Sequence, residues 1–492
     1  MKQHAIPEAL HGKILIAGAG VSGLACARLL AHLGATVSIA DNNTEALDAA
    51  SAQTGAKPLS IAAAADALEE FATIVVSPGW RPDSPLLLRA QKLGIEVIGD
   101  IELAWQLDQA GCCGAPRTWL VITGTNGKTT TTAMLAAMMD GHNTKRAAAV
   151  GNIGRAVQEA LLDPNRVDVL VVELSSFQLH WSHSITPAVG ALLNLAEDHI
   201  DWHGSMAEYS HAKGKVLRGP IAVVGVDDPR AVAELDYQRG RGGLEDTTVV
   251  GFSVHEPAAG QVGILDGALY DRAFEGGALA AADGISPAGD AGRLDALAAA
   301  AVARSQGVPA EKIAAALQGF EVSGHRGQVV HRFGGIEFVD NSKATNPHAA
   351  RTALSGYPSF VWVAGGQLKG ADVRPLIQQC APRMRAAVLL GTDRQDIARA
   401  LADLAPEVPV DIIDQTQPEQ AMEQAVAAAR SHARPGDAVV LAPAAASLDM
   451  YTGMGQRGDL FAQAAREQAR PGAAEEQPSQ HLHRPENPPK GV

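Results

Sequence analysis

The sequence predicts an α/β protein of three successive domains: a Rossmann-like domain over residues 1–112, a central P-loop-type domain over 117–320 and a C-terminal Rossmann-like α/β domain over 324–467. Three observations carry that expectation. The chain is 492 residues long, more than one hydrophobic core normally organises. Apolar runs at 13–17 and 119–123 each lead straight into a glycine-rich turn that opens a helical pattern. A segment bearing Gly111, Gly114 and Pro116 separates those two units, and a third series of apolar strands begins beyond Gly324-His325-Arg326.

Composition narrows the functional classes. The chain is 46% hydrophobic and 19% charged, as folded proteins are, but only 4% aromatic, so its cores rest on Ala, Leu and Val, as in residues 296–303. A net charge of -14 argues against nucleic-acid binding, which needs a basic surface, yet leaves room for a small anionic ligand in a local positive pocket. Four cysteines are too few to staple such a chain; Cys112 and Cys113 are adjacent and Cys26 falls in an expected helix, so a reducing cytoplasm is the expected setting. The N-terminus shows no basic segment followed by an apolar run, and no stretch reaches the roughly 20 apolar residues of a membrane helix. No membrane association is expected.

In the first unit, the strand over 13–17 ends in Gly18-Ala-Gly-Val21-Ser22-Gly23. A helix bearing Leu24, Leu29 and Leu30 follows, then strands over 36–40, ending at Asp41, and over 73–76, ending in Ser77-Pro78-Gly79. Gly-x-Gly-x-x-Gly with an acidic residue past the second strand has the form of a dinucleotide fingerprint. Taken alone it fits NAD or FAD; the same glycines serve wherever a nucleotide pyrophosphate meets a helix N-terminus.

The second unit carries Gly124-Thr125-Asn126-Gly127-Lys128-Thr129-Thr130 between strand and helix. Such a turn aims backbone N–H groups at phosphate oxygens; Lys128 would neutralise the β/γ-phosphates and the Thr129 hydroxyl would ligate Mg²⁺. Ile122 occupies the place of the first glycine in the commoner G-x-x-x-x-G-K-T spacing. Strands over 167–173 and 189–193 are continuously apolar, as buried parallel strands are. Glu173 ends the first of them, well placed to hold Mg²⁺ beside a phosphate loop, the plain alternative being a solvated strand end. The stretch Asn194 to His203, with Asp198, His199 and Asp201, concentrates metal-ligand types and leaves a metallohydrolase as a competing class. Residues 240–290 are glycine-rich, with short alternating pieces such as 262–265, consistent with a small β patch or a variable insertion. In the third unit, strands are expected over 336–339, 360–364, 387–390 and 438–442, with helices between them. The tail over 468–492 is rich in Pro, Glu, Gln and His and reads as disordered.

Together the segments 124–130, 173–179, 194–201, His325-Arg326, Asn341-Ser-Lys-Ala-Thr-Asn346 and Pro443-Ala-Ala-Ala-Ser-Leu-Asp449 resemble the Mur ligase family, and the resemblance runs from about residue 12 to 460. It implies a domain for a UDP moiety, a central ATPase domain and a third domain that receives an incoming amino acid. The activity implied is ATP-dependent joining of D-glutamate to UDP-N-acetylmuramoyl-L-alanine, through an acyl phosphate, by a monomeric cytoplasmic enzyme whose partners are these small molecules. The Ser-Lys-Ala-Thr-Asn and Ser-Leu-Asp segments carry the D-glutamate specificity in that resemblance.

The family also implies roles for individual residues. Val21, Ser22, Asp41 and Ser77 match contacts to the uridine diphosphate, with Asp41 near the uracil, while Asn152 and Ser175 match contacts on the sugar-peptide side. Residues Gly124 through Thr130, with Arg326 and Asp295, match the ATP site. Thr129 and Glu173 match ligands of one Mg²⁺, and His199 a ligand of a second. Lys213 matches a lysine that the family carries as a carbamate, an anionic oxygen ligand; by sequence alone it reads as an ordinary helix-surface lysine. Lys128, His199 and Lys213 are thus the expected catalytic set. Lys343, Thr345, Lys369, Ser447 and Leu448 match the D-glutamate pocket, where two lysines suit a dianionic amino acid. Three positions depart from the family pattern: Ala291-Gly-Arg-Leu-Asp295 stands where His-Asn-x-x-Asn approaches adenine, Asn341 where an aspartate is common, and Met454 where an aromatic residue can line the amino-acid pocket.

Overall fold

The computed structural model describes residues 6–7, 10–321 and 324–467, so the tail expected over 468–492 lies outside the described residues. Two compact units succeed one another, divided after Ser323. The first contains two sheets and the second contains one.

The first sheet has five parallel strands in the spatial order Lys57–Leu59, Thr36–Ala40, Lys13–Ala17, Thr73–Val76, Glu96–Gly99. Numbered along the chain this is 3-2-1-4-5, the doubly wound order of dinucleotide-binding folds, whose direction reverses between Lys13–Ala17 and Thr73–Val76. Ligands bind at such a crevice, beyond the carboxyl ends of the strands. Both switch-point strands are buried, which is why they are apolar without alternation.

The second sheet has nine strands, and its parallel part runs Ala147–Gly151, Val169–Glu173, Thr118–Thr123, Val189–Leu192, Ile221–Gly225, Thr248–Phe252, Gln261–Leu265. Ala268–Asp271 and Gly277–Ala281 extend it antiparallel, so the glycine-rich stretch is a β-rich extension of this sheet. The helix Asp290–Ser305 packs against the helix Lys128–Met139 and buries residues 296–303 completely. Small alanine side chains allow that close approach without a cavity.

The expected linker around Gly111–Pro116 ends on a buried anchor. Arg117 Nη1 donates to Asp108 Oδ1 at 2.6 Å, Trp119 Nε1 donates to Asp108 Oδ2 at 2.9 Å, and Arg117 Nε and Nη2 donate to the carbonyls of Val167 and Leu161. Every face of this ion pair is hydrogen-bonded, the condition under which burying charge is tolerated. It ties the helix Asp100–Gln109 to the start of the second sheet.

The second unit holds a six-stranded sheet in the order Gln328–Phe333, Ile336–Asp340, Ala438–Leu441, Phe360–Gly365, Met384–Leu390, Val410–Ile412. Only the first pair is antiparallel. The fifth strand starts three residues before the expected 387 because Arg385, which interrupts the apolar run, points at Asp437 and pairs with it. None of the four cysteines is in a disulfide. No helix of the described residues is long and apolar enough to cross a membrane.

Candidate active site

The turn after Thr118–Thr123 is held from several sides. The Thr125 N–H donates to the Asn194 carbonyl and the Asn126 N–H to Asn194 Oδ1, both at 2.9 Å, while Asn194 Nδ2 returns a bond to the Asn126 carbonyl at 3.1 Å. The Thr125 hydroxyl meets Tyr209 Oη at 2.8 Å and accepts from the Ala196 N–H at 2.9 Å. Gly127 closes the turn at φ +83°, in the left-handed region, and a Cβ there would collide with Asp295 Oδ1. Asp295 Oδ1 also accepts from the Thr131 hydroxyl at 3.2 Å, which places Asp295 against the loop. Lys128 folds back so that Nζ donates to the carbonyls of Gly124 (3.0 Å) and Thr125 (2.9 Å). The first N–H groups of the helix Lys128–Met139 have no intrahelical acceptor, and their dipoles favour an anion there.

A Gly127→Ala substitution therefore meets both a backbone and a steric penalty. A non-glycine residue held at strained φ costs of order 1–3 kcal/mol, before the clash with Asp295 is relieved. The expected result is a melting midpoint lower by several degrees and ADP binding at least tenfold weaker by calorimetry; wild-type values for both would mean that the loop does not need this geometry.

Glu173 is 1% exposed, so it is not a solvated strand end. Its Oε2 accepts from the Thr129 hydroxyl at 2.7 Å and its Oε1 from Asn152 Nδ2 at 2.8 Å. One carboxylate thereby joins the first turn of the phosphate-loop helix to the Gly151-Asn152 turn.

Lys213 departs most from its sequence reading. It is 2% exposed, with Nζ donating to the Gly124 carbonyl at 2.8 Å and to Thr123 Oγ1 at 3.3 Å, and lying 5.0 Å from the Tyr209 ring centroid. The expectation of a helix-surface lysine is wrong, because the helix Met206–Gly214 packs its lysine face under the phosphate loop. Burial, reinforced by the charge of Lys128, pushes the amine far below its ordinary pKa, against the opposing pull of Asp198 and Glu173. His199 sits in the left-handed region at φ 55°, its ring 4.7 Å from that of Phe177. Desolvation lowers its pKa against the opposing pull of Asp198, which favours the neutral imidazole that a metal ligand needs. Among the described residues, no group of three or more His, Cys, Asp or Glu side chains converges as a metal cage.

Val21, Ser22, Pro78, Asp100, Gly151, Asn152 and Gln178 line a cleft of about 220 Å³ where the first two sheets of this unit meet. Of the six residues expected at the UDP-linked substrate, Val21, Ser22 and Asn152 line this cleft, and Asp41, Ser77 and Ser175 are not among its lining residues. Val21 and Ser22 open the helix Val21–His32, and Asn152 is bonded to Glu173, so the cleft adjoins the phosphate-loop carboxylate. Asp41 is fixed by the N–H groups of Ala19 (2.7 Å) and Asn43 (2.9 Å). Partial burial works to raise its pKa, but those donors and the Asn42 N–H outweigh it and hold the carboxylate ionised. The Ser77 hydroxyl is buried with no partner among the described residues. The Ser175 hydroxyl caps the helix Ser176–His180 in a reciprocal pair with Gln178, an arrangement that commits it to the backbone. Asp100, absent from the sequence reading, stands at the cleft with its pKa pushed up to about 6 by burial.

In the second unit, Lys343 and Thr345 follow the strand Ile336–Asp340, Lys369 follows Phe360–Gly365, and Ser447 and Leu448 follow Ala438–Leu441. These three parallel strands are neighbours, so the three loops share one end of the sheet. The loops are laced together by the Ala444 N–H donating to the Ala344 carbonyl and by paired Gln367–Ala446 backbone bonds, each at 2.9 Å. Asn341 stands beside Asp340, which supplies the carboxylate: Asp340 Oδ2 meets His325 Nδ1 at 2.6 Å and Oδ1 accepts from the Ser342 N–H. That carboxylate raises the His325 pKa. Arg326 lies in the turn that enters Gln328–Phe333.

Comparison with known proteins assigns this architecture. Residues 12–99 match the model of the Mur ligase MurD-like N-terminal domain, 122–259 the Mur ligase middle domain, and 325–445 the Mur ligase glutamate ligase domain. UDP-N-acetylmuramoylalanine–D-glutamate ligase of Corynebacterium diphtheriae is 54% identical over 482 residues, 97% of this chain and 98% of that protein. The chain belongs to the Mur ligase family. The enzyme of the same name from Mycobacterium bovis is 47% identical over 92% of this chain and 95% of its own. Among solved Mur ligases, UDP-N-acetylmuramate–alanine ligase MurC of Thermotoga maritima shares the fold, with a TM-score of 0.55 at 17% identity over 93% of this chain and 100% of that one. Within this Mur ligase, sequence reasoning missed Tyr209 as the buttress of Thr125, Asp100 in the cleft, and Arg457 behind the third-domain loops. Each acts through contacts distant in sequence, and no local signal marks it.

Proposed function

We propose that this Mur ligase joins D-glutamate to UDP-N-acetylmuramoyl-L-alanine, with ATP cleaved to ADP and phosphate, in cytoplasmic synthesis of the peptidoglycan precursor. The observation that carries the proposal is the convergence of Lys128, the Thr129–Glu173 pair and Lys213 on one end of the central sheet, beside a cleft whose Asn152 bonds the same Glu173. Relatives at 47–55% identity bearing that enzyme's name support the choice of substrates.

The chemistry follows from the leaving-group problem. A carboxylate does not condense with an amine unaided, so the alanyl carboxylate attacks the γ-phosphorus of ATP, forming an acyl phosphate and releasing ADP. The D-glutamate amine then attacks that carbonyl and phosphate leaves, with one proton lost from the amine. Lys128 exchanges its two carbonyl partners for phosphate oxygens, placing its charge where the nucleophile and triphosphate repel. Val21, Ser22, Asp41, Ser77 and Asn152 hold the UDP-linked substrate, with Ser175 ordering the adjoining helix start.

The residues present fit magnesium. Mg²⁺ takes few protein oxygens and completes its shell with phosphates and water, so the Thr129 hydroxyl and Glu173 carboxylate suffice for one site. His199 and a carbamylated Lys213 would hold the second, the carbamate replacing a cation that cannot ligate. When bound, the metal offsets negative charge on the phosphoryl oxygens. Asp295 flanks the phosphate loop of the nucleotide site, and Lys343, Thr345, Lys369, Ser447 and Leu448 receive the two carboxylates of D-glutamate.

The test is phosphate release with ATP, UDP-N-acetylmuramoyl-L-alanine and a panel of amino acids. D-Glutamate should stimulate release at least a hundredfold more than L-alanine, L-glutamate or a diamino acid. Stimulation by another amino acid alone would sink the specificity while leaving the ligase intact.

A further inference from the structure

Arg457 belongs to none of the motifs above, yet it is 1% exposed in the helix Met454–Glu467. Its guanidinium reaches three loops at once. Nε donates to Ser342 Oγ at 3.0 Å and Nη2 to the Ser342 carbonyl at 2.8 Å, while Nη1 donates to the carbonyls of Ala445 at 3.2 Å and Gly365 at 3.3 Å. Ser342 Oγ in turn donates to the Met454 carbonyl at 2.7 Å, tying the loop to the start of the helix that carries the arginine. Gly366, at φ +130°, lets the loops close on this group: a Cβ there would collide with the Ala446 carbonyl and stand 3.3 Å from Nη1.

Ser342 adjoins Lys343, Gly365 opens the loop to Lys369, and Ala445 precedes Ser447 by two residues. The guanidinium thus contacts the base of each loop assigned to the amino acid. Its hydrogen-bond acceptors, one hydroxyl and three backbone carbonyls, are all neutral. Burial lowers its pKa to about 10, with Tyr451, Asp449 and Asp340 opposing, so it stays charged at neutral pH. A buried cation not neutralised by a paired carboxylate projects its field further than a solvated one.

We propose that Arg457 is a positioning residue for the acceptor amino acid: its fork sets the spacing of the three loops, and its charge favours a dianionic over a monoanionic side. This rests on the pocket assignment under the proposed function. Lysine cannot replace it fully, because a single ammonium cannot span loops that a planar fork reaches at fixed angles.

The test uses steady-state kinetics of the full chain for Arg457→Met, Arg457→Lys and Ser342→Ala, with melting midpoints alongside. Arg457→Met should raise KM for D-glutamate at least tenfold, leave KM for ATP and the UDP-linked substrate within twofold, and lower the preference for D-glutamate over D-glutamine. Arg457→Lys should recover part of both effects, and Ser342→Ala should raise KM for D-glutamate about threefold. A uniform change in all three KM values, or a lower melting midpoint with unchanged KM for D-glutamate, overturns the proposal. Should Arg457→Met fail to fold, the other two variants decide: unchanged KM for D-glutamate in both overturns it. If the wild type prefers another amino acid, the specificity reading fails separately, and the same comparison with that amino acid still tests Arg457.

Discussion

Lys128→Ala should lower phosphate release by about three orders of magnitude, equivalent to ~4 kcal/mol of lost transition-state stabilisation at about 1.4 kcal/mol per tenfold. The Lys128 ammonium sits at the first residue of its helix, bonded to the carbonyls of Gly124 and Thr125. Each such bond contributes only about 1 kcal/mol net, whereas bonds to phosphate oxygens are charge-assisted and roughly twice as strong. Moving the amine from carbonyls to phosphates is therefore downhill, and the stabilisation grows as charge develops on the transferring phosphoryl group. Because Thr125 and Asn126 are held independently by Tyr209 and Asn194, the variant should melt within a few degrees of the wild type and bind the UDP-linked substrate within twofold. Undiminished turnover would remove the triphosphate from this loop and the proposed reaction with it.

Lys213→Met should cost about as much activity and make the enzyme indifferent to carbon dioxide. A buried ammonium beside Lys128 is disfavoured, which favours the neutral amine, and a neutral amine adds to CO₂ to give a carbamate and a proton. The sign of the stability effect follows from the depressed pKa. Unmodified Lys213 contributes its full stability above the free-lysine pKa of about 10.4 and loses it as pH falls toward the folded-state value, leaving a penalty at neutral pH. Carbamylation removes that penalty by replacing the titrating amine. Stripping CO₂ at neutral pH should thus lower both turnover, at least tenfold, and the melting midpoint, and added bicarbonate should restore both. Lys213→Met, which buries no charge, should melt at or above the CO₂-stripped wild type and show no bicarbonate response. A ¹³CO₂-derived carbamate resonance in the wild type but not the variant completes the check; a bicarbonate response that persists in Lys213→Met would place the modification elsewhere.

The amino-acid sequence by itself determined the buried strands that lead into the two glycine turns, those turns, and the carboxylate at the end of Val169–Glu173, but not strands such as Lys57–Leu59 and Ala147–Gly151. These are short-range properties: buried parallel strands need uninterrupted apolar runs, and a turn that enters a helix beneath a phosphate needs glycine within a few residues of it. The glycine-rich stretch of 240–290 stayed open between a β patch and an insertion because its strands are short, glycine-interrupted and switch from parallel to antiparallel pairing at the edge of the sheet. Only the tertiary structure decided which charges are buried. The helix Met206–Gly214 carries no apolar stripe that marks Lys213 as an inward position, and the Thr123 and Gly124 oxygens that meet it lie about ninety residues earlier. Arg457 is placed by Ser342 and Gly365, 115 and 92 residues away. Burial and the field around a charge are sums over neighbours in space, and chain order does not contain those sums until the sheets have brought their strand ends together.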